Sequence, residues 1–273
     1  MLTRTIVAVI AIPLLLAVLL FAPLWATGIV IGGIAAMSAV EFLRCSAKDT
    51  GARMQAVTAV CAFCIPFACV FYPSGRVYEI ALFFLFAYSF CELMLTFRRE
   101  ERMGFESFAA MLIAGGVLPI MISAIVRLGL REWGTAYILL PFVVTFSCDS
   151  GAYFAGVLLG KHKLVPTLSP NKTIEGSIGG FLLAIAVMLL YGFVLTKLGY
   201  EVNLIVLAIY AFLGSVACQL GDLSFSAVKR LFGIKDFGRL IPGHGGMLDR
   251  FDSMFWTAAL VELLVSWVPA ITK

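Results

Sequence analysis

The chain has 273 residues, is 62% hydrophobic and 13% charged, and has a mean hydropathy of +1.02. Soluble domains carry roughly 25% charged residues, so this composition excludes that class and predicts an all-α, polytopic transmembrane helical bundle. The formal net charge of +4 is small, and its weight lies in where the cations fall rather than in its size.

Crossing roughly 30 Å of hydrocarbon takes a helix of about 17 to 25 apolar residues. In chain order such runs occupy residues 5–21, 24–43, 54–72, 78–97, 105–126, 134–159, 177–196, 203–221 and 253–270, which makes about nine spans. Arg4 precedes the first run as it would in a signal peptide, but no small-residue cleavage site stands out after it, so it reads as a retained span. An Ala-Pro turn at Pro23 joins the first two runs into a hairpin.

Lys and Arg are held on the cytoplasmic side during insertion. With nine spans and a cytoplasmic N-terminus, one side receives Arg4, Arg44, Lys48, Arg53, Arg98, Arg99, Arg102, Lys161, Lys163, Lys172, Lys229, Arg230, Lys235, Arg239 and Arg250, while Arg76, Arg127, Arg131, Lys197 and Lys273 fall on the other. The cation-rich side would favour anionic headgroups and phosphates. Residues 1–133 then read as an N-terminal hydrophobic scaffold, and 134–273 as a C-terminal region carrying two chemically distinct cytoplasmic loops, 160–176 and 222–252.

The first loop, GKHKLVPTLSPNKTIEG, sets Ser169, Lys172 and Thr173 just before Glu175 and the next span. About ten residues upstream lies Asp149, on the order of 15 Å deep. An acid there is costly unless it lines a polar cavity, as Ser147, Ser150, Gly151 and Tyr153 around it allow, or is a hydrogen-bonded structural Asp. On a helix continuing past Asp222, Ser226 and Arg230 project from nearly the same face as the carboxylate. After Pro242, the run Gly243-His244-Gly245-Gly246 lets backbone N–H groups turn inward, one way of cradling phosphate oxygens. Asp249 and Asp252 share a helical face near the start of the last run, with Arg250 between them. With Asp222 they could hold a divalent cation while the nearby cations hold phosphates, and magnesium suits a site of few carboxylates, waters and substrate phosphates.

Elsewhere the residues point to packing. The seven cysteines read as buried thiols, the Cys61-x-x-Cys64 pair lacking partner ligands. Gly176 and Gly180 form a small-xxx-small pair suited to close helix contact. Glu41 and Glu92 read as interfacial or funnel residues, and the sequence names no partner for Glu262. Intramembrane acids also build ion paths, so an ion-coupled membrane transporter is the alternative class. Against it, the acids gather toward one side and no inverted repeat is detectable; a Walker-type phosphate loop is absent too.

The runs S-x-x-K-R (226–230), K-D-F-G (235–238) and P-G-H-G-G-x-x-D-R-F-D-S (242–253) resemble the signature of the phosphatidate cytidylyltransferase, or CDP-diacylglycerol synthase, family. So do C-D-S-G-A-Y (148–153), G-K-H-K (160–163), S-P-N-K-T-x-E-G (169–176) and Q-L-G-D-L (219–223), whereas the first half matches only as hydrophobic spans. The resemblance implies magnesium-dependent transfer of a cytidylyl group from CTP to phosphatidate, giving CDP-diacylglycerol and pyrophosphate in phospholipid biosynthesis. It implies Asp222 and Asp249 as metal-binding acids of a two-cation site, with a monovalent cation such as K+ beside Mg2+. Lys229, Arg230 and Arg250 match its basic positions and complete the expected catalytic set. Asp149, Ser169, Lys172, Thr173, Ser226, Lys235, Asp236, His244, Gly245, Gly246 and Asp252 are the further candidate ligand-binding residues, His244 as a shaping or hydrogen-bonding group rather than a base. Two positions depart from the pattern: Phe225 where Glu is common, and Asn171 where Lys is common. The expected partners are CTP, phosphatidate and membrane lipids, not nucleic acid, with a homodimer as candidate assembly and a bacterial plasma membrane as location.

Overall fold

A computed structural model describes residues 13–47, 51–72, 75–97, 103–238 and 245–272. Its long helices are α1 (Leu24–Ser46), α2 (Ala52–Phe71), α3 (Arg76–Thr96), α4 (Phe105–Gly129), α5 (Gly134–Leu159), α6 (Ile174–Lys197), α7 (Leu204–Leu231) and α8 (Leu248–Trp267). Among the described residues seven of these, α1 to α7, are long and apolar enough to cross a membrane. They match seven of the predicted runs. Of the first run, 13–21 is helical and 5–12 lies outside the described residues. The last run is also helical, but α8 starts before it and takes in Asp249, Arg250 and Asp252 in addition to Glu262, so its composition is not that of a plain lipid-embedded helix.

Loop 160–176 is more ordered than its sequence suggests. Strands β1 (Lys163–Val165) and β2 (Ser169–Thr173) pair antiparallel as a hairpin, and Thr173 then caps α6, its side chain accepting the N–H of Gly176 at 3.1 Å. A second short ladder joins β3 (Glu201–Val202) to β4 (Ile271–Thr272). Likewise α7 runs on to Leu231, so the segment from 222 starts as the continuing helix that the Asp222–Ser226–Arg230 spacing predicts.

The chain divides into two compact units, Met1–Leu130 with Phe232–Phe251, and Arg131–Leu231 with Asp252–Lys273. Residues 232–251, grouped by sequence with the second half, thus belong with the N-terminal helices. In the first unit α1 lies close against α2 at Gly28 and Gly32, where an added Cβ would come within 2.7 Å of Val70 and 2.8 Å of the Phe63 carbonyl. A π turn at Ile113–Val117 interrupts the α-helical pattern of α4 at Gly115 and Gly116, which face Leu85 and Leu82 of α3. Glu92, only 5% exposed, is met by Arg53, whose Nη2 donates to both carboxylate oxygens at 2.6 and 2.7 Å.

In the second unit α5 and α6 meet backbone to backbone. A Cβ added at Gly176 or Gly180 would lie 2.8 Å from the Ala152 carbonyl or 2.9 Å from that of Cys148, so the small-xxx-small pair makes the close contact expected of it. Cys148, Ala184 and Cys218 form a fully buried knot from α5, α6 and α7. All seven cysteines are free thiols, but only Cys69, Cys148 and Cys218 are buried as expected, whereas Cys45 and Cys61 are half-buried and Cys64 and Cys91 are exposed. Glu262, 8% exposed, finds the partner that the sequence does not name in Arg131, at 3.4 Å.

Two substitutions test this packing. Gly180→Val should cost about 2 kcal/mol by overpacking against a backbone carbonyl, whereas Gly33→Val, with nothing within 4 Å of the added carbon, should leave the detergent-solubilised protein's melting temperature nearly unchanged. Thr173→Val should cost about 1 kcal/mol through the lost cap and Thr173→Ser almost nothing, read by the same thermal melts.

Candidate active site

In the second unit, helical spacing sets the first group of candidate residues. On α7, Asp222 and Ser226 stand one turn apart, and the Ser226 hydroxyl donates to Asp222 Oδ1 at 3.3 Å, as the sequence spacing predicts. Lys172, on β2, brings its Nζ within 2.5 Å of Asp222 Oδ2, both side chains about one-third exposed or less. The hairpin therefore aims a cation at the acid. Asp149, on α5, accepts from the Cys218 thiol at 3.5 Å and interacts electrostatically with Asp222 and Lys172. Asp252 lies within the same field, sensing Asp222, Lys229 and Asp149. Four acids and lysines from α5, β2 and α7 thus share one charged region with Asp252 in the second unit.

Neighbouring side chains hold those helices in register. Gln219, one turn before Asp222's, donates to the Ser177 carbonyl at 3.2 Å while the Ser177 hydroxyl donates to Gln219 Oε1. Arg230 Nε reaches the Leu168 carbonyl in the hairpin turn at 3.5 Å. Glu175 accepts the backbone N–H groups of Lys161 and His162 and pairs with His162 Nδ1 at 2.6 Å, closing the base of the hairpin. Phe225, the departure from the family pattern, is 5% exposed and packs on Phe255 with ring centroids 6.1 Å apart, so this position faces the α7–α8 core. Asn171 is exposed on β2, beside the inward Lys172. Ser169 is half-buried on the same strand.

A separate group of candidate residues lies in the first unit and is organised by Asp249. Its Oδ2 accepts the backbone N–H of Phe237 at 2.8 Å and of Gly246 at 2.9 Å, tying K-D-F-G to the glycine turn. Gly245 takes φ +84, a left-handed conformation that glycine adopts without strain, and packs beside Asp249 and Asp236. Lys235, Asp236 and Arg250 are exposed. Arg239 and His244 lie outside the described residues, so the glycine cradle is seen only at Gly245 and Gly246, and the Gly246 N–H is committed to Asp249. The sequence alone marks Glu41 only as an interfacial or funnel residue. Instead its carboxylate accepts two backbone N–H groups of this segment, Met247 at 3.0 Å and Leu248 at 2.9 Å. No local pattern could pair residues separated by more than 200 positions.

Among the described residues no group of three or more His, Cys, Asp or Glu forms a ready metal cage. Asp222 already accepts a positive charge, that of Lys172, and carboxylate oxygens are what a hard cation takes when it keeps water and shares substrate phosphates.

A family model described as the cytidylyltransferase family matches residues 2–268. Among curated proteins, the phosphatidate cytidylyltransferase of Staphylococcus haemolyticus is 41% identical over 187 residues, covering 68% of this chain and 70% of that protein. Those of Staphylococcus epidermidis and Staphylococcus aureus are 41% and 40% identical over 181 residues, each covering 66% of this chain and 68% of the relative. With a family match that spans nearly its whole length, and with relatives near 40% identity, the chain belongs to the cytidylyltransferase family.

Proposed function

We propose that this membrane enzyme transfers the cytidylyl group of CTP to phosphatidate, releasing pyrophosphate and leaving CDP-diacylglycerol for phospholipid biosynthesis. The observation that carries the activity is the family match over residues 2–268, in a chain whose similar relatives bear the name phosphatidate cytidylyltransferase. The transporter alternative has no comparable support. Of the two acids that could have marked an ion path, Asp149 and Glu262, the second is engaged by Arg131 and the first accepts from the Cys218 thiol.

In the reaction, a phosphate oxygen of phosphatidate attacks the α-phosphorus of CTP in line, a new P–O bond forms, and the bond to the β-phosphate oxygen breaks as pyrophosphate leaves. A phosphate monoester is already largely ionised near pH 7, with a second pKa of about 6, so no strong general base is required. Positioning and charge neutralisation carry the chemistry. Lys229, Arg230 and Arg250 are the residues we assign to the charge on the departing pyrophosphate, and Asp222 and Asp249 are the acids that would hold Mg2+. Bound there, the ion would polarise phosphoryl oxygens and offset their charge. A monovalent cation such as K+ beside it belongs to the same reading.

Lys172 supplies positive charge at Asp222, and Asp149 and Asp252 surround it with further acids. This balance supports a cation-and-phosphate role for the region. Ser169, Thr173, Ser226, Lys235, Asp236, His244, Gly245 and Gly246 complete the proposed ligand-binding set, Thr173 and Ser226 acting also through the cap and the Asp222 hydrogen bond. Fifteen of the 20 Lys and Arg residues fall on one side of a nine-span arrangement, which supports a cytoplasmic N-terminus and active site. The bacterial relatives favour the plasma membrane, and a homodimer is the assembly we propose.

Purified protein given labelled CTP, Mg2+ and phosphatidate should form lipid-linked cytidylate only when all three are present; no such product would end this reading. Chelation by EDTA should stop turnover and added Mg2+ restore it. Asp222→Asn and Asp249→Asn should each lower kcat by about 10²–10³-fold while the protein remains in the membrane fraction, and a fully active Asp249→Asn enzyme would remove the metal assignment.

A further inference from the structure

We propose that Glu41 is a positioning residue for cytidylyl transfer, its carboxylate holding in place the backbone that presents Asp249 and Arg250. The inference rests on the proposed role of Asp249 but not on any contact between Glu41 and a substrate.

Glu41 sits near the end of a spanning helix, α1, and is only 9% exposed. A buried carboxylate without donors is costly, so what satisfies it is informative. Here both oxygens are taken by main-chain groups, Oε1 by the N–H of Met247 at 3.0 Å and Oε2 by that of Leu248 at 2.9 Å. Helix α8 starts at Leu248, and the first N–H groups of a helix have no intrahelical acceptor. A carboxylate delivered from α1 therefore caps α8 at its positive end, where negative charge is favoured.

Three further contacts indicate that the fit is specific. A side chain at Gly238 or at Gly246 would drive its Cβ into the Glu41 carboxylate, so the backbone on both sides of the residues outside the described set closes on this one group. Phe42, next to Glu41, stacks on Phe237 with ring centroids 6.1 Å apart. The N–H of that same Phe237 and the N–H of Gly246 both end on Asp249 Oδ2. Glu41 and Phe42 thus grip the segment from α1, and Asp249 closes it from within. Removing the outer grip leaves Asp249 the same ligands but a looser frame, which should weaken binding of the metal-nucleotide more than it slows the bound complex.

The decisive variant is Glu41→Gln, which keeps the volume and one acceptor oxygen but turns an amide toward a backbone N–H. Without substrates, hydrogen exchange at Met247 and Leu248 should quicken about tenfold, the effect of one lost hydrogen bond to a charged group. In turnover the KM for CTP at fixed Mg2+ should rise about tenfold with kcat within about threefold of the parent, and the melting temperature should stay close to the parent's. Gly238→Ala, which crowds the same carboxylate, should move exchange and KM in the same direction even if Glu41→Gln cannot be recovered folded. Adding Glu41→Ala to Gly238→Ala should be no worse than Glu41→Ala alone, because the clash is then gone. Parent-like exchange and parent-like KM in the recovered variants, or a fall in melting temperature with KM unmoved, would overturn the proposal. A parent enzyme that makes no CDP-diacylglycerol would instead sink the functional reading, and the exchange measurement stands apart from it.

Discussion

An acid carried into an apolar helix bundle must be met by a donor, because the hydrocarbon offers none. Much of this protein's architecture follows from that requirement. Glu92 is met by Arg53, Glu262 by Arg131, Glu41 by two backbone N–H groups and Asp222 by Lys172. The first two pairs join elements within one unit and do no evident chemistry. The last two lie at the family's signature segments, where the same compensation also positions residues that we assign to phosphate chemistry.

Close backbone contact is the second requirement, and glycine supplies it. The approach of α5 to α6 at Gly176 and Gly180 leaves no room for side chains, and it brings the β1–β2 hairpin and its Thr173 cap to a fixed place at the mouth of both helices. From there Lys172 reaches Asp222. Packing that looks purely structural therefore sets the geometry of a charged pair. The hairpin is held again at its base by Glu175 and at its turn by Arg230, so the cation is delivered from a braced element rather than from a free loop.

Asp249 has a structural role in the fold and a chemical one in the proposed function. A carboxylate that accepts two backbone N–H groups has its orientation fixed before any ligand arrives, which lowers the reorganisation required on binding. The glycine turn around it is needed because Gly245 adopts φ +84 and Gly246 lies against Glu41. The glycine-rich sequence that suggests a phosphate cradle is thus also what allows two acids to share one tight segment.

The amino-acid sequence alone determined the membrane class, seven of the spans, the common face of Asp222 and Ser226, and the family. These depend on composition, on helical period and on short signatures, all of which are local along the chain. Only the tertiary structure decided that 160–176 forms a hairpin, that Thr173 is a cap, that Phe225 faces the core, and that 232–251 belongs with the N-terminal helices. It alone paired Lys172 with Asp222, Arg131 with Glu262, and Glu41 with Met247 and Leu248. Such partners are dozens to hundreds of residues apart, and no periodicity links them: which donor satisfies a buried acid is settled by how the helices pack, not by what stands beside it in the chain.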